Sequence, residues 1–344
     1  MSPTTTTIIT SSLATGTIIT ASSHHWLLAW VGLELNTLAI IPMISKHHHP
    51  RATEAATKYF LTQAAASALI LFSSMLNAWQ TGSWDIMQPA STTSSLLLTA
   101  ALAMKLGLVP MHFWLPEVLQ GSSMKTALIM STWQKLAPLA LVYLTSNTLS
   151  TTTLLLMATM SALVGGWGGL NQTQLRKIMA YSSIAHIGWM VAIAQIMSST
   201  LILYLTLYLF MTTSIFSALI LSQSKSIKDT ATAMTTSPML TLTTMLTLLS
   251  LGGLPPLTGF LPKLLVLKGL TTQGLLLIST ALAMSSLLSL FFYLRLSYMA
   301  SLTLAPNTLL TKHKWRFKPA PKTLLMTLSS PLALMLLPMA PLMM

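Results

Sequence analysis

The chain has 344 residues, of which 53% are apolar and only 7% carry a charge. A soluble globular domain carries about 25% charged residues, so this composition excludes a water-facing enzyme or binding module and predicts a protein of the lipid bilayer. The chain contains no cysteine, which excludes disulfides and cysteine-ligated iron–sulfur clusters. We therefore expect no redox centre in this chain.

Apolar segments bounded by polar clusters run along the whole chain. A helix needs about 20 predominantly apolar residues to cross a bilayer, so these segments predict about eleven transmembrane helices. The predicted fold class is an all-α polytopic membrane protein that forms a single transmembrane domain over residues 1–344. The predicted spans are residues 5–21, 26–44, 59–78, 94–114, 125–144, 152–167, 178–197, 201–221, 239–267, 274–299 and 323–342.

The basic residues fall almost entirely on one side of the predicted membrane. The opposite side receives only Lys268, and this asymmetry predicts that the N-terminus lies on the basic side. The net charge of +13 is therefore a topology signal, and we expect no nucleic-acid binding, which needs a basic stripe on a soluble surface. The densest basic run, residues 312–322, is expected to be a solvated loop or to contact anionic lipid headgroups.

Two predicted spans are interrupted beside a lysine. Lys105 is followed by Gly107 and Pro110, and Lys263 ends a segment rich in glycine and proline. Each proline removes a backbone hydrogen bond, and a broken helix at membrane depth is tolerated only where it lies against protein or lines a cavity. The sequence thus predicts two discontinuous helices, although an ordinary transmembrane proline is the alternative for each break taken alone.

The two breaks fall in the fourth and ninth predicted spans. The ninth span is five positions after the fourth, and because five is odd the two helices run in opposite directions across the membrane. This arrangement predicts inverted five-helix repeats, as in many transporters. The first repeat covers about 1–145 and the second about 150–300, and a final helix covers about 322–342.

Four charged side chains lie inside predicted spans: Glu34, Lys105, Lys135 and Lys263. Each costs roughly 2.5 to 3.5 kcal/mol at the bilayer centre. One alternative is that each side chain extends to the interface or forms a static buried pair, but one carboxylate cannot neutralise three ammonium groups. Removal from water favours the neutral form of lysine, so we predict that these lysines are reversible proton carriers.

Two histidines lie in apolar segments, and we consider His112 and His186 as further relay residues beside their alternative role as hydrogen-bonded core residues. They provide no facing pairs of the kind that bind haem. The three consecutive histidines at 47–49 project in different directions, so we expect no metal site and no cofactor-binding residue in this chain.

Six motifs, found in order along the chain, resemble one protein family. The motifs are WVGLELN around Glu34, ATEAATKYFLTQA from Ala52, KLGLVPMHFWLPEV from Lys105, WQKLAPL around Lys135, KIMAYSSIAHIGW from Lys177 and LGGLPPLTGFLPK ending at Lys263. As a set they resemble the mitochondrially encoded subunit 2 family of NADH–ubiquinone oxidoreductase, respiratory complex I, in animals. Members of that family are antiporter-like subunits of the membrane arm.

The resemblance implies a location and a function. The chain would lie in the inner mitochondrial membrane with its N-terminus on the matrix side. It would conduct protons as part of an H+-translocating NADH:ubiquinone reductase, with NADH, FMN, iron–sulfur clusters and ubiquinone bound by partner subunits. The expected partners are other complex I subunits, especially neighbouring antiporter-like subunits, and membrane lipids including cardiolipin.

The resemblance also implies a role for each buried charge. Glu34 would pair with Lys105 of the first discontinuous helix and tune it. Lys135 would be the central relay, and Lys263 of the second discontinuous helix would pass protons towards the intermembrane space. His112 and His186 match the family pattern, but their roles are less defined.

Two other functions are compatible with the residues alone. The first is a stand-alone cation/proton antiporter, which is disfavoured because sodium sites need several convergent oxygens and this chain has one acidic residue in the middle of a span. The second is a structural membrane scaffold whose buried charges have no function. Transport by the isolated chain would favour the antiporter, and unaffected pumping after removal of the buried lysines would favour the scaffold.

Overall fold

The computed structural model describes residues 2–47, 49–88, 91–301 and 323–339. In this part of the chain the regular structure is helical, and β structure is limited to two isolated bridges. The predicted all-α fold class is therefore confirmed. The basic run at 312–322 lies outside the described residues, as does His48 of the histidine run.

Fifteen α-helices account for all the predicted spans in the described ranges. We number them α1 to α15 in chain order. They are Pro3–Ser22, Trp26–Ile44, Pro50–Thr81, Thr92–Leu106, Trp114–Gly121, Met124–Ser131, Trp133–Leu144, Thr151–Gly169, Leu175–Ile193, Ser198–Ser222, Ile227–Thr236, Pro238–Gly252, Phe260–Thr272, Leu276–Ser301 and Leu324–Met335.

Within the described ranges, five helical segments are long and apolar enough to cross a membrane by length and composition. Helices α4, α12 and α15 are shorter apolar helices. The two predicted discontinuous helices are present, as α4 with α5 and as α12 with α13. The five long segments are Trp26–Ile44, Pro50–Thr81, Met124–Leu144, Ser198–Ser222 and Leu276–Ser301.

Serine and threonine are abundant in these helices because their hydroxyl groups are satisfied within the helix itself. In α1, Thr17 donates to the carbonyl of Ala14 at 2.8 Å. In α3, Ser73 donates to the carbonyl of Ile70 at 2.8 Å. A hydroxyl that bonds back to its own helix leaves no unpaired polar group in the bilayer, so even the Thr-rich first segment forms a helix.

Two local features differ from the sequence prediction. Residues 125–144 were expected to form one uninterrupted span, but Thr132 leaves the regular helical conformation and separates α6 from α7. The stretch between the eighth and ninth spans was expected to be a loop, yet it contains the short helix α11.

This helix begins with a capping box, in which Asp229 accepts hydrogen bonds from the backbone amides of Lys225 and Ser226. Partial burial of Asp229 raises its pKa, but the two amides, the Ser226 hydroxyl and the charge of Lys225 together leave the pKa below its usual value.

The chain divides into two compact units, which are described separately. The first unit comprises residues 1–161 and 187–198. Within it α2 packs against α1 and α3, and α3 also packs against α4 and α5. Helix α7 contacts α1, α2 and α4, which brings the segment carrying Lys135 to the end of the first half of the discontinuous helix.

The second unit comprises residues 162–186 and 199–344. Its central packing joins α12 to α14, and α14 also contacts α11 and α13. The final helix α15 packs against α12, and the hydroxyl of Thr258 donates to the carbonyl of Ala333. The inverted repeats at 1–145 and 150–300 stay a prediction.

Candidate functional site

The first discontinuous helix breaks directly after Lys105. Gly107 has a φ of 78°, in the left-handed region that glycine enters without steric cost. Its amide bonds to the carbonyls of Ala103 and Met104, and the amide of Leu108 bonds to Ala103 at 2.9 Å. This cap closes α4, and the carbonyl of Leu106 remains available to a side chain.

Lys135 uses that carbonyl. Its Nζ donates to the carbonyl oxygen of Leu106 at 2.6 Å and lies 5.5 Å from the centroid of the Trp114 ring. The indole Nε1 of Trp114 in turn donates to the carbonyl of Met104 at 3.1 Å. The side chain of Lys135 is buried, so its ammonium is held by a helix terminus and an aromatic face, both of which attract a positive charge.

The second discontinuous helix repeats this geometry. Gly253 has a φ of 80° and caps α12 through the carbonyls of Leu249 and Ser250. The Nζ of Lys263 donates to the carbonyl oxygen of Gly252 at 2.9 Å. In each unit, therefore, a buried lysine bonds to the last carbonyl before the left-handed glycine.

An internal sequence repeat underlies this shared geometry. Residues 107–117, GLVPMHFWLPE, align without gaps with residues 253–263, GLPPLTGFLPK. Glycine, two leucines and two prolines are identical, and each break has an aromatic residue at the start of its second half. The last aligned position holds Glu117 in the first copy and Lys263 in the second. Both breaks were predicted from the sequence, but this alignment was not.

Lys105 and Glu34 belong to the same unit but do not form a direct ion pair. Among the described residues, ion pairs within 4.0 Å occur only at Lys58. The carboxylate of Glu34 accepts a hydrogen bond from the hydroxyl of Thr37 at 3.1 Å, and its charge acts on Lys105 from a longer distance. The Nζ of Lys105 is buried and has no hydrogen-bond partner among the described residues.

A small cavity in the first unit brings Lys105 and Lys135 together. Its volume is about 10 Å³, which is about the space needed for one water molecule. Side-chain amide atoms of Asn36 and Gln63 are buried and unpartnered at its walls. Its lining is formed by Leu33, Asn36, Thr37, Tyr59, Gln63, Lys105, Trp114, Gln134, Lys135, Ala137 and Pro138.

The two histidines occupy different environments. His112 lies in the turn between α4 and α5, where its Nδ1 is 3.3 Å from the carbonyl oxygen of Pro110, so the helical setting expected for it is wrong. His186 lies in α9, as predicted. Its Nδ1 is 3.0 Å from the hydroxyl of Tyr204, and its Nε2 is 3.4 Å from the hydroxyl of Tyr293. Lys263 is close enough to interact with His186 electrostatically.

In the described ranges, no group of three or more histidine, aspartate or glutamate residues is positioned to hold a metal ion. The polar side chains described above include amines, hydroxyls and two imidazoles, which are groups that can pass protons.

Comparison with known proteins places these features in a family. The family model described as NADH:quinone oxidoreductase/Mrp antiporter matches residues 23–289, and that of the NADH dehydrogenase subunit 2 C-terminus matches residues 290–344. The NADH-ubiquinone oxidoreductase chain 2 of Latimeria chalumnae is 54% identical over 99% of this chain and 98% of its own length. That of Salmo salar is 57% identical over the same shares.

The chain belongs to the NADH-ubiquinone oxidoreductase chain 2 family. It is therefore a membrane-arm subunit of the proton-pumping respiratory complex I and part of an H+-translocating oxidoreductase. Membership in this family disfavours both the stand-alone antiporter and the structural scaffold.

Solved structures agree with this family assignment. A chain of respiratory complex I from Thermus thermophilus with bound aureothin superposes with a TM-score of 0.80 at 29% identity, over 96% of this chain and 78% of that chain. A chain of the Mrp complex from Dietzia sp. DQ12-45-1b superposes with a TM-score of 0.75 over 84% of this chain and 59% of that chain. At 18% identity, the second similarity concerns the fold alone.

Several residues at the site were not predicted from the sequence. Trp114 ends the predicted span 94–114, and its indole forms part of the surroundings of Lys135. Tyr204 and Tyr293 lie in apolar helices far along the chain from His186, so only tertiary structure reveals their contacts. The alignment of the two breaks was an available signal that both units share the same helix end, but it does not indicate the lysines, because Lys263 aligns with Glu117 and Lys135 lies outside the aligned segment.

Proposed function

We propose that Glu34, Lys105, Lys135 and Lys263 form the proton relay of this subunit, with His186 as a further member and His112 at the edge of the first break. In this proposal Glu34 tunes Lys105, Lys135 is the central carrier and Lys263 passes protons towards the intermembrane space. Electron transfer from NADH to ubiquinone in partner subunits drives the relay.

The observation that carries the proposal is the matched position of two buried lysines. Lys135 and Lys263 each donate to the last carbonyl before a left-handed glycine. The carbonyl end of a helix has a partial negative charge that favours an ammonium group, whereas burial opposes a charge. A change in the charge of a neighbour can shift the balance between these effects and move the proton onward.

Changes in lysine pKa can supply the energy needed to move a proton against the membrane potential. Moving one elementary charge against about 150 mV costs roughly 3.5 kcal/mol. A change of one pKa unit corresponds to about 1.4 kcal/mol, so a total change of two to three units along the relay supplies this energy. The cavity shared by Lys105 and Lys135 supports a lateral step between these two amines.

We further propose that the chain lies in the inner mitochondrial membrane with its N-terminus on the matrix side. The basic asymmetry of the loops supports this orientation. The proposed neighbours are other antiporter-like complex I subunits, and the basic loops suit anionic lipids, cardiolipin among them. NADH, FMN, iron–sulfur clusters and ubiquinone are assigned to partner subunits, because the cysteine-free chain cannot ligate a cluster through thiolates.

The test is a pair of substitutions in the intact, assembled complex. Methionine keeps the length of the lysine stem without its charge, so Lys135→Met and Lys263→Met should each reduce the number of protons moved per electron. Matched controls are Lys125→Met on α6 and Lys268→Met on α13, both of which replace exposed lysines. Proton uptake and NADH oxidation are measured together in proteoliposomes.

Unchanged proton-to-electron ratios in both Lys135→Met and Lys263→Met would refute the relay and support the scaffold function. Cation exchange by the isolated subunit would instead support a stand-alone antiporter. Complex assembly is checked in each case by native gel electrophoresis, so that a loss of pumping is compared only among complexes of equal abundance.

A further inference from the structure

His186 is enclosed by three tyrosines in the second unit. Tyr204 and Tyr208 belong to α10, and Tyr293 belongs to α14. All three are at most 1% exposed, and His186 is 5% exposed. A buried imidazole needs a partner for each ring nitrogen, because an unpaired buried nitrogen is costly.

Each nitrogen of His186 has its own tyrosine hydroxyl. The Nδ1 lies 3.0 Å from the hydroxyl oxygen of Tyr204, and the Nε2 lies 3.4 Å from that of Tyr293. A neutral imidazole donates from one nitrogen and accepts at the other, whereas a hydroxyl can do both. The three side chains therefore form a continuous row of groups that can each give and receive a proton.

The row ends at α9 on one side. Tyr293 also bonds to the side chain of Ser182, which lies one helical turn before His186 and whose own hydroxyl donates to the carbonyl oxygen of Met179 at 2.8 Å. The charge of Lys263 acts on His186, and two positive charges in a medium of low dielectric repel strongly. This repulsion favours transfer through the two neutral tautomers over a lasting imidazolium.

We propose that Tyr204, His186 and Tyr293 form a tautomer-switched proton wire beside Lys263, in which the two tyrosine hydroxyls are relay groups. This inference rests on the proposed function, because it adds a proton path to the part of the relay near Lys263. In one passage the Tyr293 O–H bond breaks as the Nε2–H bond forms, and the Nδ1–H bond breaks as the Tyr204 oxygen gains a proton. A hydronium ion supplies a proton to the Tyr293 oxygen, and a water molecule accepts the proton that Tyr204 originally carried, so one proton enters the row and one leaves it.

The passage conserves protons and converts one imidazole tautomer into the other. The proton must return from Nε2 to Nδ1 before the next passage in the same direction, which gives the wire two distinguishable states. No metal or cofactor takes part. The direction of net transfer is set by the charge on Lys263 and by the neighbours that charge it.

Tyrosine-to-phenylalanine substitutions test the wire, because they remove a hydroxyl and keep the ring. In the intact complex, Tyr204→Phe and Tyr293→Phe should each cause a loss of protons moved per electron. Tyr208→Phe is the matched control: its ring lies 5.4 Å from that of His186, but its hydroxyl bonds to Ser183. The control should pump at the wild-type ratio.

A second readout separates proton transfer from a packing role. When several protons move together, the rate of proton transport falls along a curve as the D2O fraction rises, and we expect this curvature in the wild type and in Tyr208→Phe. The curvature should be lost in Tyr204→Phe and in Tyr293→Phe. Wild-type ratio and curvature in both hydroxyl variants would overturn the wire.

Lys263→Met distinguishes failure of the wire from failure of the relay. If Lys263→Met loses pumping while both hydroxyl variants retain it, the wire is refuted and the relay stands. If Lys135→Met, Lys263→Met and both hydroxyl variants all retain pumping, both proposals fall. A structure of the assembled complex with His186 bonded to groups other than Tyr204 and Tyr293 would also overturn the wire, even if a variant failed to assemble.

Discussion

At the scale of single residues, the site depends on glycines that place a lysine against a helix end. Gly253 is required twice over: its φ is 80°, and a β-carbon at this position would lie 2.9 Å from Cδ and 3.0 Å from Nζ of Lys263. The same residue therefore ends α12 and leaves room for the amine that bonds to the exposed carbonyl. Lys135 reaches the equivalent carbonyl of Leu106 from a different helix.

We predict that Gly253→Ala abolishes proton transport while the complex still assembles. A left-handed conformation costs a non-glycine residue roughly 1–2 kcal/mol, and the added methyl group also displaces Lys263. The matched control is Gly274→Ala, whose φ is 75° but whose β-carbon would meet no atom within 4 Å. Gly274→Ala has the same unfavourable backbone conformation but does not displace Lys263. Equal loss of transport in both variants would therefore contradict the prediction. Proton transport and thermal stability are measured for both.

At the scale of elements, α5 is held against α3 by two kinds of contact. Lys58 bonds to Glu54 and to Glu117 at 2.6 Å each, and all three side chains are substantially exposed. Exposed ion pairs contribute at most about 1 kcal/mol. At Gly121 the two helices approach so closely that a β-carbon would lie 2.6 Å from Cβ of Ala55 and 2.7 Å from a backbone carbonyl. The close packing is therefore the stronger constraint.

We predict that Gly121→Ala destabilises the subunit more than Lys58→Met does. Overpacking costs about 1–3 kcal/mol, whereas loss of the exposed ion pairs costs up to about 1 kcal/mol. Thermal unfolding of the assembled complex, at several salt concentrations, measures both effects. The Lys58→Met difference should shrink as salt screens the charges, and the Gly121→Ala difference should not. A larger effect for Lys58→Met would show that the ion pairs dominate.

At the scale of the whole molecule, the distribution of charge predicts orientation, and the absence of cysteine offers a direct test. We expect Lys228→Cys to react with a membrane-impermeant thiol reagent only from the matrix side. Gln273→Cys, in the stretch between α13 and α14, should react only from the opposite side. Inside-out particles and right-side-out mitoplasts provide the two exposures. Reversed labelling of the subunit would contradict the proposed orientation, and the unsubstituted cysteine-free chain is the control.

The sequence alone was sufficient for the class of protein, the helical segments and the charged candidates. The bilayer contains no water, so backbone polar groups must form hydrogen bonds within helices. The length of an apolar segment therefore predicts a span, and a rare charge within a span is easy to recognise. Glu34, Lys105, Lys135 and Lys263 were identified on this basis. The break at Thr132 escaped prediction because no glycine or proline marks it directly.

The sequence alone determined that this chain is a helical membrane protein with a few buried ionisable groups. The reason is that every charge is costly inside a bilayer, so the composition alone is informative. Tertiary structure decided which groups those side chains meet. Lys135 and Leu106, or His186 and Tyr293, are far apart along the chain, and hydrogen bonds between distant residues have no periodicity from which to be predicted. Packing also determined that the lysines bond to helix ends and that Glu34 acts on Lys105 from beyond ion-pair distance.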